Sequence, residues 1–179
     1  MTKQLVLVTG GARAGKSAFA ESLAHAMGSS VLFVATATAL DAEMGERIAR
    51  HRASRPSGWE TLEAPVDVTR ALDAMGPTHD AIILDCLTVW LSNLLHEGHD
   101  ELAALDSVGG LLDWYRRNRS SLIVVTNEVG LGIVPDRPSV RHYRDCLGRA
   151  NQQVAAMADR VYLLVAGLPI EIKSLADPH

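Results

Sequence analysis

Short apolar runs alternate with longer amphipathic segments along the 179 residues of the chain. The apolar runs predict strands at 4–9, 31–35, 81–84, 122–126 and 161–165, with a further candidate at 168–173. Helical character is found near 17–27, 41–54, 66–75, 87–97, 101–118 and 139–158. Nearly continuous apolar strands are typical of parallel strands that are covered on both faces. The pattern predicts an α/β fold with a doubly wound, mostly parallel sheet, in which 168–173 forms an antiparallel edge strand.

A glycine-rich segment follows the first apolar run directly. Residues 10–17, GGARAGKS, match the pattern G-x-x-x-x-G-K-[ST], and a helix is predicted to begin near Ser17. Strand, loop and helix in this order allow backbone N–H groups to converge on phosphate oxygens at a helix N-terminus. Lys16 supplies a positive charge and Ser17 a hydroxyl for Mg²⁺. We expect nucleoside triphosphate chemistry, with backbone contacts from Gly10, Gly11, Ala12, Arg13, Ala14 and Gly15. A chance glycine-rich turn is the alternative.

Composition limits the class of protein. The length of 179 residues and the 47% hydrophobic content suit one domain over 1–179. A net charge of −4 and the absence of a Lys/Arg-rich block argue against a general nucleic-acid binder and favour a small-molecule partner. The two cysteines are far apart, and neither a secretory leader nor an apolar stretch of about 20 residues is visible. We therefore expect a cytoplasmic protein without stable membrane insertion.

Asp85 follows the apolar run 81–84, at the carboxyl end of a predicted parallel strand. Proteins with this phosphate-binding loop commonly keep an acidic residue there to hold magnesium, directly or through water. The alternative is that Asp85 caps the following helix and needs no metal. The same rule, that ligands lie beyond the carboxyl ends of the strands, also selects 36–38, 126–128 and 166–167.

The segment 41–56 reads as a polar helix that ends before Pro56. Arg47 and His51 are four residues apart and share a face, which by spacing alone indicates a solvated charged stripe. The alternative is that the surrounding arginines bind polyphosphate and favour a neutral imidazole, whose nitrogen can attack phosphorus. The other histidines are interpreted as surface residues; these are His25, His79, His96, His99, His142 and His179. Spacing leaves the role of Glu63 open.

Five segments together resemble one family. They are GGARAGKS at 10–17, RIARHRASRP at 47–56, DCLT at 85–88, VTNEVGLGIVP at 125–135 and RDCLGRANQ at 144–152. In this order, and over nearly the whole chain, they resemble the bifunctional adenosylcobinamide kinase/adenosylcobinamide-phosphate guanylyltransferase family of cobalamin biosynthesis.

The resemblance implies two reactions. A nucleoside triphosphate, ATP or GTP, phosphorylates the hydroxyl on the aminopropanol arm of adenosylcobinamide, and GMP is then transferred from GTP onto that phosphate with release of pyrophosphate. It implies that His51 carries GMP covalently, that Lys16 and the loop amides stabilise the transferring phosphoryl group, and that Ser17 and Asp85 hold Mg²⁺. The guanine-nucleotide contacts implied by the resemblance are Thr36, Ala37, Thr38, Arg52, Ala53, Ser54, Arg55, Glu63 and Asp85. A homo-oligomer, with a trimer suspected, is also implied.

The chain departs from the family at two points. Ala14 stands where the family often has serine, a change that leaves the amide donors in place, and Arg50-His51 stands where some members have adjacent histidines. Two other functions use the same loop. One is a small-metabolite kinase without a covalent histidine; the other is a GTP-dependent switch or metallochaperone, against which stands the lack of an Asn-Lys-x-Asp guanine-reading motif. The kinase general base, the corrinoid-binding residues and the nucleotide used by the kinase are not identified by these residues.

Overall fold

The computed structural model describes residues 2–38, 45, 46, 49, 52, 56, 58–76 and 78–176. Most of the predicted helix at 41–54 lies outside this part of the chain; its four described residues, Gly45, Glu46, Ala49 and Arg52, have helical backbone. Among the described residues, no helix combines the length and the hydropathy needed to cross a bilayer.

Seven strands form one sheet in the order β3-β2-β4-β5-β1-β6-β7. Their bounds are β1 Leu5–Gly10, β2 Val31–Ala35, β3 Glu60–Glu63, β4 Ala81–Asp85, β5 Ser121–Val125, β6 Arg160–Val165 and β7 Leu168–Glu171. All neighbouring pairs are parallel except β6 with β7. The α/β class, the mostly parallel sheet and the antiparallel edge strand are thus confirmed.

One strand was not predicted. The β3 segment has a single aliphatic residue, Leu62, and lies at the sheet edge with both of its glutamates exposed. An edge strand with polar ends lacks the apolar run by which a covered parallel strand is recognised. It pairs with β2 so that Glu63 lies beside Ala35.

The helices in the described part of the chain connect the strands. They are α1 Lys16–Met27, α2 Val68–Met75, α3 Leu87–His96, α4 Glu101–Arg117 and α5 Pro138–Met157, with a 3₁₀ turn at Lys173–Leu175. Each of the five α-helices agrees with its predicted position to within two residues at either end, which is the usual uncertainty of a helix boundary, whereas the 3₁₀ turn was not predicted.

The four central strands, β1, β2, β4 and β5, are buried on both faces. In β1, Leu5 and Leu7 belong to the core that packs against α2 to α5, whereas Val6 and Val8 belong to the core that packs against α1. Alternate side chains of a strand point to opposite faces, so a fully apolar run is needed to fill two cores at once. The carboxyl ends of the parallel strands meet at one edge of the sheet, where the polar residues Thr36, Asp85 and Thr126 lie at or just after the ends of the apolar runs.

Gly28 closes α1 at a position with no room for a side chain. A Cβ at this position would lie 2.2 Å from Cβ of Asp80, whose Oδ2 accepts hydrogen bonds from the amides of Ser29 and Ser30 at 3.0 Å each. We predict that Gly28→Ala lowers the free energy of unfolding by about 1–3 kcal/mol, because Asp80 must move away from both amides. Urea denaturation measures the change.

The matched control is Gly148→Ala. Gly148 lies inside α5, and a Cβ there would meet nothing within 4 Å. Since alanine is a better helix former than glycine, the free energy of unfolding of this variant should rise by about 0.5–1 kcal/mol. Equal stabilities for the two variants would contradict the steric explanation.

Candidate functional site

The loop at 10–17, called the phosphate loop below, needs glycine at two points. Gly10 has φ 147°, and a Cβ on it would lie 2.5 Å from the carbonyl oxygen of Leu164 in β6. Gly15 has φ 91° and is the N-cap residue of α1. The turn between β6 and β7 supports the loop from outside, because the amide of Gly167 donates to the carbonyl of Ala14 at 3.2 Å. The loop is therefore held by the last two strands of the sheet.

Lys16, Ser17 and Asp85 meet at the start of α1. Nζ of Lys16 donates to the carbonyl of Gly11 at 2.7 Å, so the ammonium group lies against the loop. Oγ of Ser17 donates to Oδ2 of Asp85 at 2.9 Å. The structure thus brings together the two residues for which the sequence suggested a shared metal. The N-cap residue of α3 is Cys86 rather than Asp85.

The oxygen donors of this pair suit magnesium. Mg²⁺ prefers oxygen ligands and is usually bound by one or two protein groups together with substrate phosphates and water. The Ser17 hydroxyl and the Asp85 carboxylate provide such a pair next to the phosphate loop. Among the described residues no group of three His, Cys, Asp or Glu side chains could hold a metal by itself. A cation at this position would therefore depend on a nucleotide for its remaining ligands.

Thr36 follows β2 and is fully buried. Its hydroxyl donates to the carbonyl of Cys86 and accepts from the amide of the same residue, both at 2.9 Å. Its own carbonyl accepts from Nδ2 of Asn93 at 2.8 Å. The Thr36 side chain thus joins β2 to the end of β4, whereas Ala37 is half-buried and Thr38 exposed. Contact with a nucleotide in this segment would fall to Ala37 and Thr38.

Glu63 lies at the end of β3 and forms an ion pair with Arg52. Nη1 of Arg52 is 3.2 Å from Oε1 of Glu63, and both side chains are about two-thirds exposed, at 65% and 68%. An ion pair this exposed contributes little to stability and can exchange partners readily. Both groups are therefore accessible to a ligand at the edge of the sheet. The other predicted residues of that segment lie outside the described residues; they are Arg47, Arg50, His51, Ala53, Ser54 and Arg55.

A buried polar network, which the sequence did not reveal, joins the end of β5 to two helices. Oγ1 of Thr126 donates to Oδ1 of Asn151 at 2.7 Å and lies 3.3 Å from Oγ1 of Thr88. The Thr88 hydroxyl accepts from the amide of Asn127 at 2.7 Å, and the hydroxyl of Tyr143 donates to the Thr88 carbonyl at 2.9 Å. The only sequence signal was polar residues directly after an apolar strand. The network holds the chain after β5 in one position against α3 and α5.

A cavity of about 400 Å³ opens beside this network. It lies between Glu128–Gly130 and the middle of α5, and we call it the α5 cavity. The amide of Glu128 donates to the carbonyl of Gly10 at 3.1 Å, so the cavity begins where the phosphate loop begins. Its walls come from the 125–135 and 144–152 segments. The sequence selected 126–128 as a ligand position because it follows a strand, whereas it assigned no site role to 144–152.

One histidine differs from the prediction. The side chain of His79 is only 6% exposed, and its Nε2 is 3.0 Å from Oε2 of Glu60. The prediction that His79 is a surface residue was wrong. Its place in the chain between α2 and β4 does not show that its side chain packs beside Glu60 of β3. His96 and His99 belong to no metal-binding group in the described part of the chain.

The strand–loop–helix unit and the Ser17–Asp85 pair at the carboxyl edge of the sheet are those of a P-loop nucleotide-binding protein. The flagellar accessory protein FlaH of Methanocaldococcus jannaschii has a similar fold, with a TM-score of 0.51 at 15% identity. That alignment covers 93% of this chain and 74% of FlaH.

Sequence comparisons give the family. The family model described as cobinamide kinase / cobinamide phosphate guanyltransferase matches residues 6–172. The bifunctional adenosylcobalamin biosynthesis protein CobU of Escherichia coli (strain K12) is 40% identical, with 94% of this chain and 99% of CobU covered. The corresponding protein CobP of Pseudomonas aeruginosa is 44% identical, with 93% and 96% covered. The chain belongs to the cobinamide kinase / cobinamide phosphate guanyltransferase family.

Cys86, next to Asp85, has a strongly raised pKa. Burial, reinforced by the negative charge of Asp85, raises the pKa of the thiol to about 11, and burial also raises the pKa of Cys146. Because only the thiolate reacts, we predict that at pH 8 native Cys86 is modified by an aromatic disulfide reagent about 100-fold more slowly than in the urea-unfolded chain. The reaction is followed by absorbance, with peptide mapping to assign the cysteine. Rapid labelling of native Cys86 at pH 8 would contradict the shift.

Proposed function

We propose that this protein phosphorylates adenosylcobinamide with a nucleoside triphosphate and then transfers GMP from GTP to the new phosphate. The products are adenosylcobinamide-GDP and pyrophosphate, a step of cobalamin biosynthesis. The observation that carries the proposal is the Ser17–Asp85 hydrogen bond beside Lys16, at the phosphate loop of a chain that belongs to this family. The matches to curated bifunctional relatives over more than nine-tenths of the chain support both activities.

In the kinase step the hydroxyl oxygen of the aminopropanol arm attacks the γ-phosphorus. The bond between this phosphorus and the bridging oxygen breaks, the nucleoside diphosphate leaves, and the hydroxyl proton is released. The protein contributes mainly by positioning and by electrostatic stabilisation. Lys16 and the amides of the phosphate loop face the charge that spreads over the phosphoryl oxygens. Mg²⁺, held by Ser17 and Asp85, would offset the charge on the phosphates.

In the guanylyl step a neutral nitrogen of His51 attacks the α-phosphorus of GTP, and pyrophosphate leaves. A phosphate oxygen of adenosylcobinamide phosphate then attacks the same phosphorus, and the P–N bond breaks to restore the histidine. His51 lies outside the described residues, but Arg52, the next residue in the chain, reaches Glu63 at 3.2 Å. Arg52–Arg55, Glu63 and the 36–38 segment are assigned to the guanine nucleotide on the family resemblance.

We predict that His51→Ala abolishes covalent guanylylation. After incubation with [α-³²P]GTP and Mg²⁺, the wild-type chain should keep its label through denaturation. The label bound to the variant should be lower by at least about 100-fold, because the imidazole nitrogen that forms the bond has been removed. His96→Ala is the matched control, since His96 is exposed in the last turn of α3.

The same experiment separates the other candidate functions. Label that is absent from the wild-type chain while ATP is consumed with a small alcohol would indicate a simple metabolite kinase. Hydrolysis of GTP without covalent label or corrinoid product would indicate a switch or metallochaperone. Label that persists in His51→Ala would place the covalent step on another residue.

We also infer a cytoplasmic homo-oligomer that does not act on nucleic acid. The net charge of −4 and the two free cysteines support the compartment and the small-molecule partners. A strip of exposed apolar side chains next to the α5 cavity supports self-association, with Leu131 86%, Ile133 97% and Val134 60% exposed. Adjacent apolar side chains at such exposure are typical of an interaction surface.

We predict that Leu131→Asp combined with Ile133→Asp dissociates the assembly. Both side chains are almost fully exposed, so the charges should oppose association without disturbing the core. Size-exclusion chromatography with light scattering should show a trimer for the wild-type chain and a monomer for the double variant. A wild-type monomer, or an unchanged assembly in the variant, would refute this interface.

A further inference from the structure

The α5 cavity lies beside the phosphate loop, on the side where β5 ends. Glu128 joins the two, because its amide donates to the carbonyl of Gly10 at 3.1 Å while its side chain lines the cavity. The buried network at Thr126 and Asn151 fixes the same segment to α5. A molecule in the cavity would therefore be held at a set position relative to a nucleotide on the loop.

Arg144 is the cavity residue whose hydrogen bonding is incomplete. Its side chain is half-buried, and Nη1 is fully buried with no hydrogen-bond partner among the described residues. The other two arginines of α5, in contrast, have hydrogen-bond partners. Arg141 donates to the carbonyls of Pro135 and Asp136 at 2.9 and 2.7 Å, and Arg149 pairs with Glu101.

A buried guanidinium nitrogen without an acceptor is costly, because its N–H groups lose water without gaining a hydrogen bond. Two carboxylates, Glu128 and Asp145, also line the cavity, but neither accepts a hydrogen bond from Nη1 of Arg144. Oε1 of Glu128 accepts from the amide of Gly130. An anionic oxygen ligand would provide the missing acceptor. Planar guanidinium groups bind phosphate oxygens through two parallel hydrogen bonds, which selects a phosphate over an amide carbonyl.

The dimensions of the cavity limit the ligand further. A volume of about 400 Å³ accepts a short arm and its terminal group but not a corrin macrocycle. Gly148 contributes to this space, because a Cβ there would meet nothing within 4 Å. The macrocycle would therefore remain outside the cavity mouth.

We propose, resting on the function proposed above, that the α5 cavity binds the phosphorylated end of the corrinoid substrate, a phosphomonoester, and that Arg144 binds its phosphate oxygens. Arg144 thereby distinguishes the second substrate from the first, whose arm ends in a neutral hydroxyl. It takes no part in forming the guanylylated enzyme, which requires GTP alone.

The test compares binding of adenosylcobinamide phosphate with binding of adenosylcobinamide, both measured by isothermal titration calorimetry in the absence of nucleotide. Arg144→Gln should lower the affinity for the phosphate ester by about 10- to 100-fold and the affinity for the unphosphorylated corrinoid by less than about 2-fold. Arg144→Lys should recover part of the loss, since it keeps the charge but not the planar fork. Arg116→Gln, at an exposed ion pair in α4, should match the wild-type protein.

A second variant keeps the proposal testable if Arg144→Gln proves unstable. Gly148→Leu fills the cavity from a helix position that tolerates a side chain. It should lower the affinity for both corrinoids by at least about 10-fold. Unchanged corrinoid binding by a folded Gly148→Leu, or equal losses of both ligands in Arg144→Gln, would overturn the proposal.

Covalent labelling distinguishes a failure of the guanylyl-transfer function from a failure of the role assigned to Arg144. The Arg144→Gln chain should still be guanylylated by [α-³²P]GTP to the wild-type extent, with only transfer to the phosphate ester impaired. A wild-type chain that takes no label would refute the guanylyl-transfer function itself. A labelled Arg144→Gln chain with wild-type affinity for the phosphate ester would refute only the role of Arg144.

Discussion

The parallel pairing of β1 with β5 and of β5 with β4 is the constraint on which the rest of the site depends. It brings the ends of three strands to one edge, with Val8 opposite Val125 and Val125 opposite Asp85. The hydrogen bond from Ser17 to Asp85 can form only because α1 starts above this edge. The same pairing places Glu128 beside Gly10 and so connects the phosphate loop to the α5 cavity. One register thus positions both the phosphate loop and the α5 cavity.

The polar residues at this edge contribute in two ways. Some are accessible, such as Glu63 and Arg52, and their exposed charges suit exchange with a ligand. Others are buried and have their hydrogen bonds satisfied within the chain, as Thr36 and Thr126 do. The buried group fixes the backbone of the loops, because each hydroxyl both donates and accepts between different elements. Precise loop positions in this protein therefore come from buried side chains.

Much of the fold was predictable because its signals are local. Apolar runs marked the covered strands, and the phosphate loop was recognisable from the spacing of Gly10, Gly15 and Lys16. Strand β3 was missed because it has no apolar run of its own and is a strand only through its pairing with β2. The α5 cavity and the unsatisfied Arg144 were missed for the same reason, since they arise from contacts between segments far apart in the chain. Pairing between Thr126 and Asn151 leaves no periodic trace in either segment.

The support of the phosphate loop by the β6–β7 turn has a consequence for how the protein is made. Gly10 packs on the carbonyl of Leu164, and Ala14 accepts from Gly167, so the loop is completed by residues that are synthesised much later than the loop itself. Contacts that span so much of the sequence close slowly, since the chain must first lose the entropy of the intervening loop. A growing chain on the ribosome would carry the whole nucleotide-binding motif long before that motif had its final shape. Binding competence would then be acquired only after β6 and β7 have been made, rather than with the first folded strands.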